Sequence, residues 1–152
     1  MTDEHSLILN TDSIPQNLSN LHPTLPELTK LWNIYIDRVD SLVKILHLPT
    51  FWSMLLNVLQ NPKDISKSLE ALVFSFYYTI INACSDEECQ SIMGERQTIL
   101  STRYRYATRH SLINAEFLNS TTLMTLQAFV MFFVSEILQF YSNLIISNVY
   151  TS

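Results

Sequence analysis

Three groups of residues in this chain have types and spacings that chemistry uses. His47 stands in Lys44-Ile45-Leu46-His47-Leu48-Pro49, where an imidazole invites a metal-binding or general-base role. Cys84 and Cys89 are two thiols five positions apart. Arg103-Tyr104-Arg105-Tyr106-Ala107-Thr108-Arg109 interleaves bases with aromatic rings, a pattern suited to stacking on nucleic acid bases.

Each group has a plainer account. No nucleophile or carboxylate lies at a telling distance from His47, and a histidine closing a helix interacts with the terminal carbonyls, so His47 is expected to be a cap. Zinc sites take cysteine pairs two to four residues apart plus a second pair, whereas these two cysteines are all the chain has. Buried, unreactive thiols are expected. On a helix, Tyr104 and Ala107 turn inward while Arg105 and Arg109 line an exposed face, which predicts a solvated basic strip open to an acidic partner. The single glycine rules out a glycine-rich phosphate loop, and there are no paired acid–base carboxylates or nucleophile elbow. No catalytic, cofactor-binding or metal-ligating residue is assigned, no cofactor is expected, and an enzyme is not expected.

The elements that hold these residues are helices. Of the 152 residues, 47% are hydrophobic and 15% charged, against about 25% charged in an ordinary soluble domain. One glycine and five prolines leave little turn chemistry for a sheet, so the fold class is all-α with about five helices. The net charge of −5 repels phosphate, which argues against direct nucleic acid binding by this chain. Two cysteines suit a reducing compartment, and an acidic start with only Leu7-Ile8-Leu9 as an apolar run is unlike a secretory signal. An intracellular protein is expected.

Residues 1–25, rich in Asn, Ser, Thr and Pro without period, are expected to form a flexible leader. A first amphipathic helix is predicted over 26–46. It turns Leu28, Leu31, Trp32, Tyr35, Val39, Leu42, Val43 and Leu46 inward, and Asp37, Asp40 and Lys44 outward. Pro49 ends it. A second helix spans 50–59 and stops before Pro62. A third, 65–84, is apolar on both sides and is therefore central. Ser85-Asp86-Glu87-Glu88 is a capping box opening a fourth helix to about 117, kinked at Gly94, with Ile92, Met93, Leu100, Tyr104, Ala107 and Leu112 inward. The fifth helix runs from Leu123 through Val134, extending up to Ile146.

Several of these segments also carry a pattern. Leu31-Trp32-x-x-Tyr35, Val39-Asp40-x-Leu42 and Lys44-Ile45-Leu46-His47-x-Pro49-Thr50 are followed in order by Ser85-Asp86-Glu87-Glu88-Cys89 and Gly94-Glu95-Arg96. Tyr104-Arg105-Tyr106, Leu112-Ile113-Asn114-Ala115-Glu116-Phe117-Leu118 and Leu126-Gln127-Ala128-Phe129-Val130 complete it. Together they resemble the fungal-specific transcription factor domain, the middle homology region of fungal zinc-cluster (Zn2Cys6) regulators. The departures are Ser41, where the family usually has proline, and Met93, where it has an aromatic or leucine.

The resemblance implies the first part of a larger helical regulatory domain, partial over 26–134, with a divergent helical tail over 135–152. It implies a nuclear protein that regulates transcription, including that of biosynthetic gene clusters, as an interaction scaffold without chemistry of its own. The family's six-cysteine module is not found upstream, so DNA would be reached through a missing module or a full-length partner. The chain reads as a truncated or mis-spliced relative. Helices three and five carry more apolar circumference than five helices cover, which predicts a protein partner or self-association. Two alternatives stand beside this: a small membrane-associated protein anchored through 123–149, and a non-functional gene remnant. A span is disfavoured because Gln127, Glu136, Gln139 and Asn143 fall within it.

Overall fold

Helix starts in this chain are set by side chains that satisfy the first unpaired backbone N–H groups. The computed structural model describes residues 17–116 and 122–151, and among them it contains six α-helices and no strand. Helix α1, Leu25–Tyr35, opens with a reciprocal capping box: Thr24 Oγ1 accepts from Glu27 N at 3.4 Å and Glu27 Oε1 from Thr24 N at 2.8 Å. It continues as one π-helical turn, Ile36–Asp40. The others are α2, Leu48–Gln60; α3, Lys67–Ala83; α4, Asp86–Met93; α5, Gln97–Glu116; and α6, Leu123–Thr151.

Three expectations change. The helix predicted over 26–46 ends at the π turn, which adds a residue per turn and rotates the residues beyond it. Val39 and Asp40 both point inward, and Leu42, expected inside, is 79% exposed. Asp40 is buried with Lys44 Nζ at 2.8 Å from its Oδ2, so this pair sits at the edge of the core instead of on the far face. The fourth helix is two helices, which makes six where about five were expected. Gly94 adopts φ +75°, a left-handed conformation that closes α4, with its N–H donating to Gln90 O at 3.0 Å. Asp86 Oδ1 then accepts from Gln97 N at 2.8 Å and caps α5 from across the break. Finally, the end of the expected leader is ordered by packing: Leu18–Leu21 forms a 3₁₀ turn, Leu18 is buried, and Tyr104 donates its O–H to Leu21 O at 2.6 Å. Residues 1–16 lie outside the described residues.

The central helix is α3. Every residue of 71–82 is buried, with α5 and α6 against it along most of its length. α1 and α2 close its remaining side through a ring cluster in which Tyr35 and Phe51 lie 4.9 and 5.0 Å from Phe76 and Trp32 lies 5.8 Å from it. The capping box at Ser85 forms as expected, and Leu100, Tyr104, Ala107 and Leu112 are buried, with Ile92 and Met93 packed at the margin.

Candidate interaction surface

α6 is apolar over most of its circumference, and among the described residues it is covered on one side only. Its inner stripe, Thr125, Ala128, Met131 and Ser135, is buried, and the small side chains of Ala128 and Ser135 let the backbone come close to α3. There Thr79 Oγ1 and Ser135 Oγ are 2.6 Å apart, and Thr79 also donates to Met131 O at 3.2 Å. Its outer stripe, Val130, Phe133, Ile137, Phe140, Tyr141 and Leu144, lies 43 to 63% exposed. This is a larger apolar strip than scattered surface residues make. The expectation that the third helix also needs outside cover is corrected: α3 is enclosed within the chain.

Gln127, Glu136 and Gln139 of α6 are committed to partners within the chain. Glu136 Oε1 accepts from Arg105 Nε at 2.7 Å and from the Tyr78 O–H at 3.0 Å, while Gln139 Oε1 accepts from the same hydroxyl at 2.9 Å. Burial, then Glu136, pushes the Tyr78 phenol up to about 12. Gln127 Nε2 donates to Ile45 O at 2.9 Å. Leu123–Ile145 is long and apolar enough to cross a membrane, but crossing would strip Glu136 from Arg105 and leave a carboxylate in hydrocarbon.

Each of the three chemistry-bearing groups has a definite place in the fold. His47 is not at the end of a helix but at the N-cap of the next one, α2, where Pro49 occupies the first turn. Its Nδ1 meets Thr50 Oγ1 at 2.8 Å and not the carbonyls of α1, because the π turn has already ended that helix. Cys84 and Cys89 are both buried at the α3–α4 junction, where hydrogen bonding to Cys89 and burial push the Cys84 thiol up. Among the described residues no three His, Cys, Asp or Glu side chains converge as metal ligands. The basic strip is not simply solvated: Arg105 ties α5 to α6 through Glu136, Arg103 pairs with Glu95, and Arg109 alone of the three is exposed.

Arg38 carried no local signal in the sequence. From the π turn it donates to Ala83 O at 2.9 Å and holds both carboxylate oxygens of Glu88, at 2.7 and 2.6 Å. Arg38, with the Ser85 backbone, holds the Glu88 carboxyl down at about 2. The residues are 50 apart, so only the fold reveals the clamp.

No protein-family model matches the chain, and no solved structure does. Curated relatives do. The chain is 34% identical over 119 residues to the transcriptional regulator AacuB of Aspergillus aculeatus, an alignment covering 78% of this chain and 16% of that protein. It is 36% identical over 121 residues to the aurofusarin cluster transcription factor aurR2 of Gibberella zeae, covering 80% and 18%. To the C6 finger domain transcription factor nscR of Aspergillus fumigatus it is 29% identical over 132 residues, covering 78% and 17%. The chain therefore spans less than a fifth of the length of the relatives it matches. The chain is thus homologous to one segment of fungal zinc-cluster transcription factors.

Proposed function

We propose that this chain serves transcription regulation in the nucleus as a helical interaction domain, contacting protein through the outer face of α6 and performing no catalysis. The observation that carries this is the uncovered apolar strip on α6 in a chain whose relatives are transcription regulators. The acidic net charge and the pairing of Arg103 and Arg105 to carboxylates leave little basic surface for a phosphate backbone. DNA is reached through another module or another protein, and the genes served include those of a biosynthetic cluster, a reading supported by the Gibberella zeae relative, which is named an aurofusarin cluster transcription factor. A membrane anchor and a gene remnant are not favoured by these relatives.

The test fuses the chain to a heterologous DNA-binding module upstream of a reporter gene. The wild type should change reporter output, and the double variant Phe133→Glu, Phe140→Glu should not, while keeping its helical circular dichroism. A well-folded wild type that leaves the reporter unchanged sinks the proposal. Sedimentation equilibrium of the same pair separates partners: a dimer lost in the variant identifies a second copy, and a monomer in both points to a different protein.

A further inference from the structure

The N-terminal ends of α2, α3 and α6 meet around a groove of about 780 Å³. Its volume falls within the roughly 300–1,000 Å³ of pockets that enclose drug-sized ligands. Leu46, Phe51, Met54, Leu72 and Met124 form an apolar wall, with two thioethers that adapt to flat or irregular ligands. His47, Thr50, Lys67, Ser68 and Gln127 join the lining.

The charge of this lining is the opposite of the chain's. The protein carries 14 acidic residues and a net charge of −5, yet among the described residues no Asp or Glu lines the groove, and Lys67 does. Lys67 forms no ion pair among the described residues; Glu70, one turn along α3, is its acidic neighbour. The three helix starts add to the same sign. Ser66 Oγ satisfies Leu69 N, and Thr122 Oγ1 satisfies Thr125 N, but each start retains further N–H groups without an intrahelical acceptor.

We propose that this groove binds a small apolar organic acid, with its hydrophobic body against Phe51, Met54 and Leu72 and its carboxylate at Lys67 and the adjoining helix starts. An apolar wall explains affinity for the body, and Lys67, with no carboxylate beside it in the lining among the described residues, explains the preference for an anion. The site is separate from the outer strip of α6, because α6 lines the groove only through residues at its N-terminal end, Leu123, Met124 and Gln127.

The probe is pyrenebutyrate, whose neutral counterpart, pyrenebutanol, shares the ring system. Both are titrated into the full chain and read by fluorescence anisotropy. The acid should bind with one-to-one stoichiometry and the alcohol about tenfold more weakly, the factor expected for one charge-assisted contact. Lys67→Glu, at an exposed position, should weaken the acid by about the same factor and leave the alcohol unchanged. Met54→Trp should weaken both by filling the groove, and Phe133→Glu should weaken neither. Equal affinities for acid and alcohol, or acid binding that ignores Lys67→Glu, would overturn the proposal. Acid binding that survives Met54→Trp in a folded variant, or vanishes with Phe133→Glu, places the ligand elsewhere and overturns it too. If Met54→Trp fails to fold, Lys67→Glu decides the question alone.

Discussion

Acidification should destabilise this protein well above the pH at which carboxylates protonate, because of His22. Its Nδ1 lies 2.9 Å from the Tyr77 hydroxyl, its ring packs 5.1 Å from Phe74, and its Nε2 is buried without a partner. Burial lowers this imidazole to about 4, from 6.5 in the unfolded chain. The unfolded state therefore takes up the proton first. The stability that neutral His22 contributes is complete above pH 6.5 and is lost progressively as pH falls from there toward 4. Integrated between pH 8 and pH 5 the loss is about 2 kcal/mol, trimmed to about 1–2 kcal/mol by water at the exposed edge of the ring. The Glu88 and Glu95 carboxyls are held low and contribute to acid sensitivity only below this window. Glu70, raised by burial, works in the opposite sense. The assay is urea unfolding followed by tryptophan fluorescence at pH 5, 6, 7 and 8, for the wild type and His22→Gln, whose amide still reaches toward Tyr77 but does not titrate. The wild type should lose more stability than the variant across that range by about 1–2 kcal/mol. Parallel losses in the two proteins would refute the reasoning.

Single contacts set the other expected outcomes. Phe76→Asp places a carboxylate among Trp32, Tyr35 and Phe51 at a position with no exposure, so the variant should lose more than the roughly 3–5 kcal/mol of a Phe→Ala change and yield no soluble folded protein. Gly94→Ala meets no atom within 4 Å, leaving only the left-handed backbone to oppose it. Its cost should be about 1–2 kcal/mol, read by chemical denaturation with the helical spectrum preserved. Ser135→Leu inserts bulk where α6 approaches Thr79, and should cost at least about 1–3 kcal/mol as well as exposing more of the α3–α6 seam to hydrogen exchange.

Much of the fold was legible because helices announce themselves locally. The capping box at Ser85 and Glu88 is a four-residue contact, and the all-round apolar character of 71–82 requires burial whatever surrounds it. The order of segments that resembles the regulator family lies within one chain, and relatives at 34 and 36% identity align with 78 and 80% of that chain. Other outcomes depended on partners distant in sequence. Leu42 fits an inward helical position by spacing, yet the π turn at Ile36–Asp40 carries it outside. The site was less legible than the fold. Arg105 reads as solvated until Glu136 approaches from 31 residues away, and Arg38 finds Glu88 from 50. The groove is assembled from three helix starts that share no motif.

By itself, the sequence determined that the chain is helical, that the helix predicted over 65–84 is central, and which family it resembles, since periodicity, caps and motif order are properties of neighbouring residues. Only the tertiary structure decided which side of α6 remains uncovered, how the π turn redirects Asp40 and His47, and where the N-termini of α2, α3 and α6 converge. Those depend on which elements pack together, and packing is a relation between residues far apart in the chain that no local pattern encodes.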